Sequence, residues 1–150
     1  MNFGTLIQNH VLWTGLAGWF LAQVLKIPVD LFRERRWNWA LFFAAGGMPS
    51  SHSCLVTSTA MAVGLHYGFN NPLFAVAVAL AMVVVYDATG VRRQAGMQAR
   101  KINVLMEELL KGHPINEQHL REVIGHTPLE ALGGVLLGLV VAVVLWLWWR

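Results

Sequence analysis

Apolar positions in this chain run in long blocks instead of alternating with polar ones. Four blocks approach the ~20 residues that a helix needs to cross a bilayer. They are about Val11 to Ile27, Cys54 to about Phe69, Leu73 to Tyr86 with an extension past Asp87 towards Val91, and Leu129 to Trp149. A fifth block, Trp37 to Ala45, is too short to cross and reads as an interfacial or re-entrant segment. Between the third and fourth blocks the pattern changes. Ile102, Leu105, Met106, Leu109 and Leu110 fall at the i, i+3, i+4 spacing of an amphipathic helix, ended by Gly112 and Pro114. A second short helix is expected from about Glu117 to Ile124, started by Asn116 and stopped by Gly125. Both are expected to lie on the membrane surface or against the bundle. The prediction is an all-α, integral membrane helix bundle: a single domain over residues 1–150 with about four spanning helices.

Composition agrees. Of the 150 residues, 56% are hydrophobic and 13% charged, with a mean hydropathy of +0.51. A soluble domain carries roughly twice that share of charge. Disorder is excluded by the apolar content, and a disulfide-built fold by the single cysteine, Cys54, which reads as a helix-packing residue. The first ten residues hold no Lys or Arg, so the first block reads as a retained helix and not a cleaved signal.

The eleven basic residues set an orientation. Lys26, Arg33, Arg35 and Arg36 lie at or after the end of the first block; Arg92, Arg93, Arg100, Lys101, Lys111 and Arg121 lie between the third and fourth; Arg150 stands alone at the end of an aromatic belt of Trp146, Trp148 and Trp149. The positive-inside rule places both basic loops in the cytoplasm. A pI near 9.5 then reflects topology and attraction to anionic membrane lipids, with no call for nucleic acid.

Three clusters carry candidate chemistry, all on the side expected to be cytoplasmic. The first is Gln23, Lys26 and Arg33; a lysine at a helix end ordinarily snorkels to the interface. The second, Gly46 to Ser53, opens a helix with two glycines, a proline and serines, and its free amides suit an anion. Read plainly, it is a turn with a serine cap, which leaves His52 without a purpose. The third joins Asp87 to Arg93 with Gly125 to Glu130. Asp87 reads as a paired structural charge or as part of a site. Thr127-Pro128-Leu129-Glu130 fits a capping box, while His126 and Glu130, four apart, suit a carboxylate holding an imidazole that acts as nucleophile or base. His10, His66, His113 and His119 read as partnerless surface or packing residues.

These motifs resemble the type 2 phosphatidic acid phosphatase superfamily, which includes the vanadium-dependent haloperoxidases. Lys26 and Arg33 keep the spacing of its first motif, with Glu34 for proline; Pro49-Ser50-Ser51-His52 is similar to its second, with Ser51 for glycine; His126 and Glu130 match the end of its third, with Glu for Asp. GGMPSSHS, YDATGVRRQAGMQA and GHTPLE together resemble the small divergent bacterial and plastid branch, over nearly the whole chain. The third motif's Ser-Arg is absent at its usual spacing, since Arg121 lies one residue too close to His126; Arg92, or less directly Arg93, is the substitute.

The resemblance implies a membrane-embedded phosphatase, of the bacterial inner membrane, that hydrolyses a lipid phosphate monoester or diphosphate without metal or other cofactor. In that reading His126 is the nucleophile, Glu130 orients it, and His52 protonates the leaving group. Lys26, Arg33, Ser50, Ser51, Arg92 and Arg93 bind phosphate, with Gln23 and Asp87 in support. The alternative is a non-catalytic membrane protein that binds or moves anionic lipid or phosphate through the same basic pocket; binding alone requires cations but not two histidines. Helices this short also leave room for a homo-oligomer that encloses the pocket.

Overall fold

The structure, a computed structural model, describes residues 3–35, 37, 39–43, 46–109 and 125–150, and every regular element among them is helical. In order these are α1 (Phe3–Ile7), α2 (His10–Glu34), a 3₁₀ turn (Trp39–Phe43), α3 (Ser51–Tyr67), α4 (Pro72–Thr89), α5 (Val91–Leu109) and α6 (Pro128–Trp149). Three stretches among the described residues are long and apolar enough to cross a membrane: His10–Arg33, Pro72–Met106 and Pro128–Trp149. The expected span from Cys54 to Phe69 is α3, a 17-residue helix of about 25 Å at 1.5 Å per residue. It occupies the middle of the bundle, packed against α2, α4 and α6.

The first helix differs from expectation. It does not end at Ile27 but runs on through Pro28 to Glu34, where Arg35 closes it in the left-handed conformation with its amide on the Leu31 carbonyl, 3.1 Å. Proline removes one amide from the ladder. One turn before the proline, Gln23 Nε2 donates to the Phe42 carbonyl at 3.0 Å and ties the 3₁₀ turn to α2. Lys26, Asp30 and Arg33 thereby fall on one helical face.

α3 carries small side chains on its buried surface: Ser51, Ser53, Cys54, Ser58, Ala60, Ala62, Val63 and Gly64. Without large apolar groups to interlock, it relies on close backbone approach, as helices in lipid commonly do. Gly134 and Gly138 of α6 supply that approach. A Cβ at Gly138 would lie 2.7 Å from the Cys54 carbonyl oxygen, and one at Gly134 would collide with the Ser50 carbonyl. On the opposite side Cys54 Sγ, fully buried, donates to the Gly18 carbonyl of α2 at 3.1 Å, the packing role expected of it.

α4 is the most exposed of the long apolar helices, with Val76, Leu80, Met82, Val83 and Tyr86 all more than half accessible. It stops at Thr89, and after the single residue Gly90 α5 begins at Val91, eleven residues before the expected amphipathic run. Arg92, Arg93, Arg100 and Lys101 are therefore helical. The expected short helix from Glu117 to Ile124, its cap Asn116, the stop at Gly112 and Pro114, and Lys111 and Arg121 lie outside the described residues.

Two histidines read as partnerless are not. His10 at the start of α2 stacks on His66 near the end of α3, ring centroids 5.4 Å apart and 13° from parallel. Trp149 at the end of α6 lies 4.6 Å from His10 and 6.4 Å from His66. Three helix ends meet there, at the end of the bundle away from Lys26 and His126.

Candidate active site

The start of α6 builds the centre of the site. Thr127 caps the helix, its Oγ1 accepting from the Glu130 amide at 3.3 Å, while Glu130 Oε2 accepts from the Thr127 amide at 3.1 Å. The same Oε2 lies 3.2 Å from His126 Nδ1. One carboxylate oxygen thus serves both the helix cap and the contact to the imidazole. In the tautomer where Nδ1–H donates to this oxygen, the ring's lone pair falls on Nε2. His126 is 3% exposed. Its backbone amide donates to the Ala88 carbonyl at 3.0 Å.

That bond joins α6 to the end of α4, one residue beyond Asp87. A second joins α6 to α3: the Ser50 amide donates to the Glu130 carbonyl at 3.0 Å. Two backbone hydrogen bonds therefore stitch together three segments that are far apart in sequence.

At the start of α3, Ser50 Oγ accepts from the Ser53 amide at 3.3 Å and from Ser53 Oγ at 3.0 Å. Ser50 is accordingly the helix cap, with its own amide committed to Glu130. The amide of Ser51, at the first helical position, is among those that a helix start leaves without an intrahelical acceptor. Ser51 Oγ is buried and has no hydrogen-bond partner among the described residues, an arrangement that costs stability in a protein interior. His52, partly buried, follows on the first turn.

Lys26 departs most from its plain reading. It does not snorkel; at 1% exposed it is the largest fully buried side chain among the described residues. A buried ammonium requires charged or polar company, and the Glu130 carboxylate acts on it electrostatically. The Lys26 stem passes Gly47, which adopts φ +93°. Lys26, Asp30, Arg33, Gly47 and Met48 line a small pocket of about 40 Å³.

The structure thus gathers Lys26 with Gly47 and Met48, and His126 with Glu130, Ser50 and the Ala88 carbonyl. Arg33 is exposed at the pocket's edge, and Arg93 is half-buried on α5. The Arg92 side chain is outside the described residues. Gln23 acts as a tether, through Nε2, while its buried Oε1 has no partner among the described residues. Asp30 was absent from the sequence expectations. Its signal was available: once the helix is allowed past Pro28, Lys26, Asp30 and Arg33 stand at i, i+4, i+7 on one face.

Comparison with known proteins identifies the family. The chain is 38% identical over 151 aligned residues, covering 93% of it and 96% of the relative, to a protein of Bacillus subtilis (strain 168) named uncharacterized membrane protein YuiD. No solved structure matches the chain. The profile of the divergent PAP2 family matches residues 7–141, from the end of α1 to beyond the middle of α6. With the match enclosing all three motif segments, this integral membrane protein belongs to the divergent PAP2 family.

Proposed function

We propose that the protein is a membrane-embedded phosphatase that hydrolyses a lipid phosphate monoester or diphosphate through a phosphohistidine on His126. The observation that carries this reading is the His126–Glu130 pair, Nδ1 to Oε2 at 3.2 Å, fixed beside the start of α3 by the two backbone bonds. A carboxylate on Nδ1 leaves Nε2 as the nucleophilic nitrogen and stabilises the ring as it gains positive character.

In the first step the Nε2 lone pair forms a bond to phosphorus while the bond from phosphorus to the alcohol oxygen breaks. His52 delivers a proton to that oxygen, so a neutral alcohol departs. Lys26 and Arg33 offset the charge on the non-bridging oxygens, together with Arg92 or Arg93, the Ser51 hydroxyl and the first-turn amides of α3. In the second step water attacks the phosphorus and gives a proton to His52. The bond from nitrogen to phosphorus breaks, releasing inorganic phosphate and restoring His126. Asp87, beside the residue that anchors His126, supports the fold of the site.

A site among spanning helices at the level of basic loops suits a substrate whose phosphate lies with the lipid headgroups. The distribution of basic residues supports a cytoplasmic position for this end. The test is phosphate release by the purified protein, with a chelator present, across a panel of phosphatidate, phosphatidylglycerophosphate and polyprenyl phosphates. We expect release from at least one, an acid-labile phosphoprotein on rapid quenching, and loss of both in His126→Ala. Full turnover in His126→Ala overturns the nucleophile assignment; tight lipid-phosphate binding without turnover by the wild type assigns the protein to binding or transport.

A further inference from the structure

A groove of about 560 Å³ runs between α3, α4 and α6, lined among others by Ala60, Phe74, Ala81, Val85, Thr89 and Leu139. Its lining offers little that a polar ligand needs. Thr89 turns its hydroxyl to the Val85 carbonyl at 2.9 Å, which leaves the methyl group for the groove. Ordinary small-molecule sites combine apolar walls with a few placed polar groups; here the walls are apolar nearly throughout.

Its two ends are unlike. At one, Thr89 directly follows Ala88, the residue whose carbonyl holds the His126 amide, so this end of the groove lies one residue from the anchor of His126. At the other stands Phe74, packed edge-on against Phe69 with ring centroids 5.1 Å apart. Phe69 in turn rests on Gly64, where a Cβ would collide with its ring. From Thr89 to Phe74 the groove follows fifteen residues of α4, about 22 Å at 1.5 Å per residue. That exceeds the ~15 Å depth of one leaflet's hydrocarbon. Along one rim, Met82 and Tyr86 are mostly exposed, at 68% and 74%. An apolar chain can enter there sideways from the bilayer without crossing water.

We propose that this groove holds one apolar chain of the amphiphile whose phosphate reaches His126, with Phe74 as the stop that limits its length. Placement of the head rests on the phosphatase reading; occupation of the groove by a chain does not. An apolar trough that ends one residue from the Ala88 carbonyl holding His126 is complementary to a molecule with an anionic head and a long tail. Because the tail lies in a defined trough and not in free lipid, successive carbons meet successive turns of α4.

The test uses the full chain in lipid nanodiscs with alkyl phosphates that carry a photoreactive diazirine at either the third or the terminal carbon of a hexadecyl chain. Labelled residues are mapped by mass spectrometry. We expect the near-head probe to label around Val85 and Thr89 and the terminal probe to label around Phe74 and Val78. Unlabelled hexadecyl phosphate should suppress both labels at least tenfold better than hexadecanol. Ala81→Phe, which fills the trough, should reduce labelling at least fivefold, whereas Val83→Phe on the exposed face of α4 should leave it unchanged. Depth-ordered, phosphate-competed labelling in a protein that releases no phosphate supports the groove and overturns the phosphatase reading. Labelling spread over the exposed face of α4, alike for both probes and indifferent to competitor, overturns the groove.

Discussion

Glu130 and His126 meet through the same carboxylate oxygen that caps α6, 3.2 Å to His126 Nδ1 and 3.1 Å to the Thr127 amide. Structural and proposed catalytic roles are thereby superposed but separable. Thr127→Ala removes a cap that Glu130 does not need in order to hold the imidazole; it should lower stability by ~1 kcal/mol, as cap losses do, with turnover within about threefold of wild type. Glu130→Gln keeps an oxygen for the cap but loses the charge beside the ring. Thermal unfolding should stay near that of wild type while phosphate release falls by roughly 10² or more, the scale of a displaced acid–base partner. Parallel unfolding and phosphate-release measurements on the two variants check the separation. A fall in turnover matched only by a fall in stability would assign Glu130 to the cap alone.

Lys26 offers a second separation. A buried ammonium near a carboxylate contributes little net stability compared with an apolar side chain of similar shape. Lys26→Met should therefore fold with an unfolding midpoint close to that of wild type, and detergent-solubilised yield should be unchanged. If Lys26 binds the phosphoryl group, inorganic phosphate should inhibit this variant at least tenfold more weakly, since a charge-assisted hydrogen bond contributes roughly 1.5–3 kcal/mol. Product-inhibition assays on both proteins read the difference directly.

Much of this was legible in the sequence, for reasons that differ residue by residue. The long helices follow from uninterrupted apolar runs, which bilayer thickness makes hard to misread. The His126–Glu130 pair follows from i, i+4 spacing, and the cap from Thr127 and Glu130, since both depend on helix periodicity alone. Burial of Lys26 was not legible: reading the first helix as ending at Pro28 put the lysine at an interface, where snorkelling is the ordinary expectation. The helix instead continues through Pro28 to Glu34, and the 3₁₀ turn tied to Gln23 packs beside it. The bonds from His126 to Ala88 and from Ser50 to Glu130 leave no mark in the sequence, because every residue but proline carries the same amide and carbonyl. Tertiary packing alone chooses such pairs.

The glycines of α6 give a graded prediction for stability. At Gly138 an added methyl meets the Cys54 carbonyl oxygen at 2.7 Å and the Ser58 amide nitrogen at 3.1 Å, both backbone atoms of the central helix. At Gly133, one helical turn away, the nearest atom is Met48 Cε at 3.3 Å, the free end of a flexible side chain. Overpacking against rigid backbone typically costs ~1–3 kcal/mol. Gly138→Ala should lower the unfolding midpoint accordingly, and Gly133→Ala should change it little. Equal losses at both positions would show that α3 and α6 adjust as readily as a methionine tip, contrary to the close backbone approach described above.

The stacked imidazoles of His10 and His66 mark the opposite end of the bundle from His126 and should prove dispensable for chemistry. Both rings lie against Trp149, so a phenyl ring at either position preserves most of the contact area, and an aromatic pair of this kind is worth ~0.5–1.5 kcal/mol. His10→Phe and His66→Phe should each keep phosphate release within twofold of wild type. His66→Ala should lower the unfolding midpoint, because it opens the junction where α2, α3 and α6 meet. His52→Ala and His126→Ala should show the converse, with stability retained and turnover lost. Assaying the four positions side by side tests whether these histidines divide by place in the fold as the mechanism requires. Loss of turnover in His66→Phe with unfolding unchanged would mean that chemistry extends to this end, and would break that division.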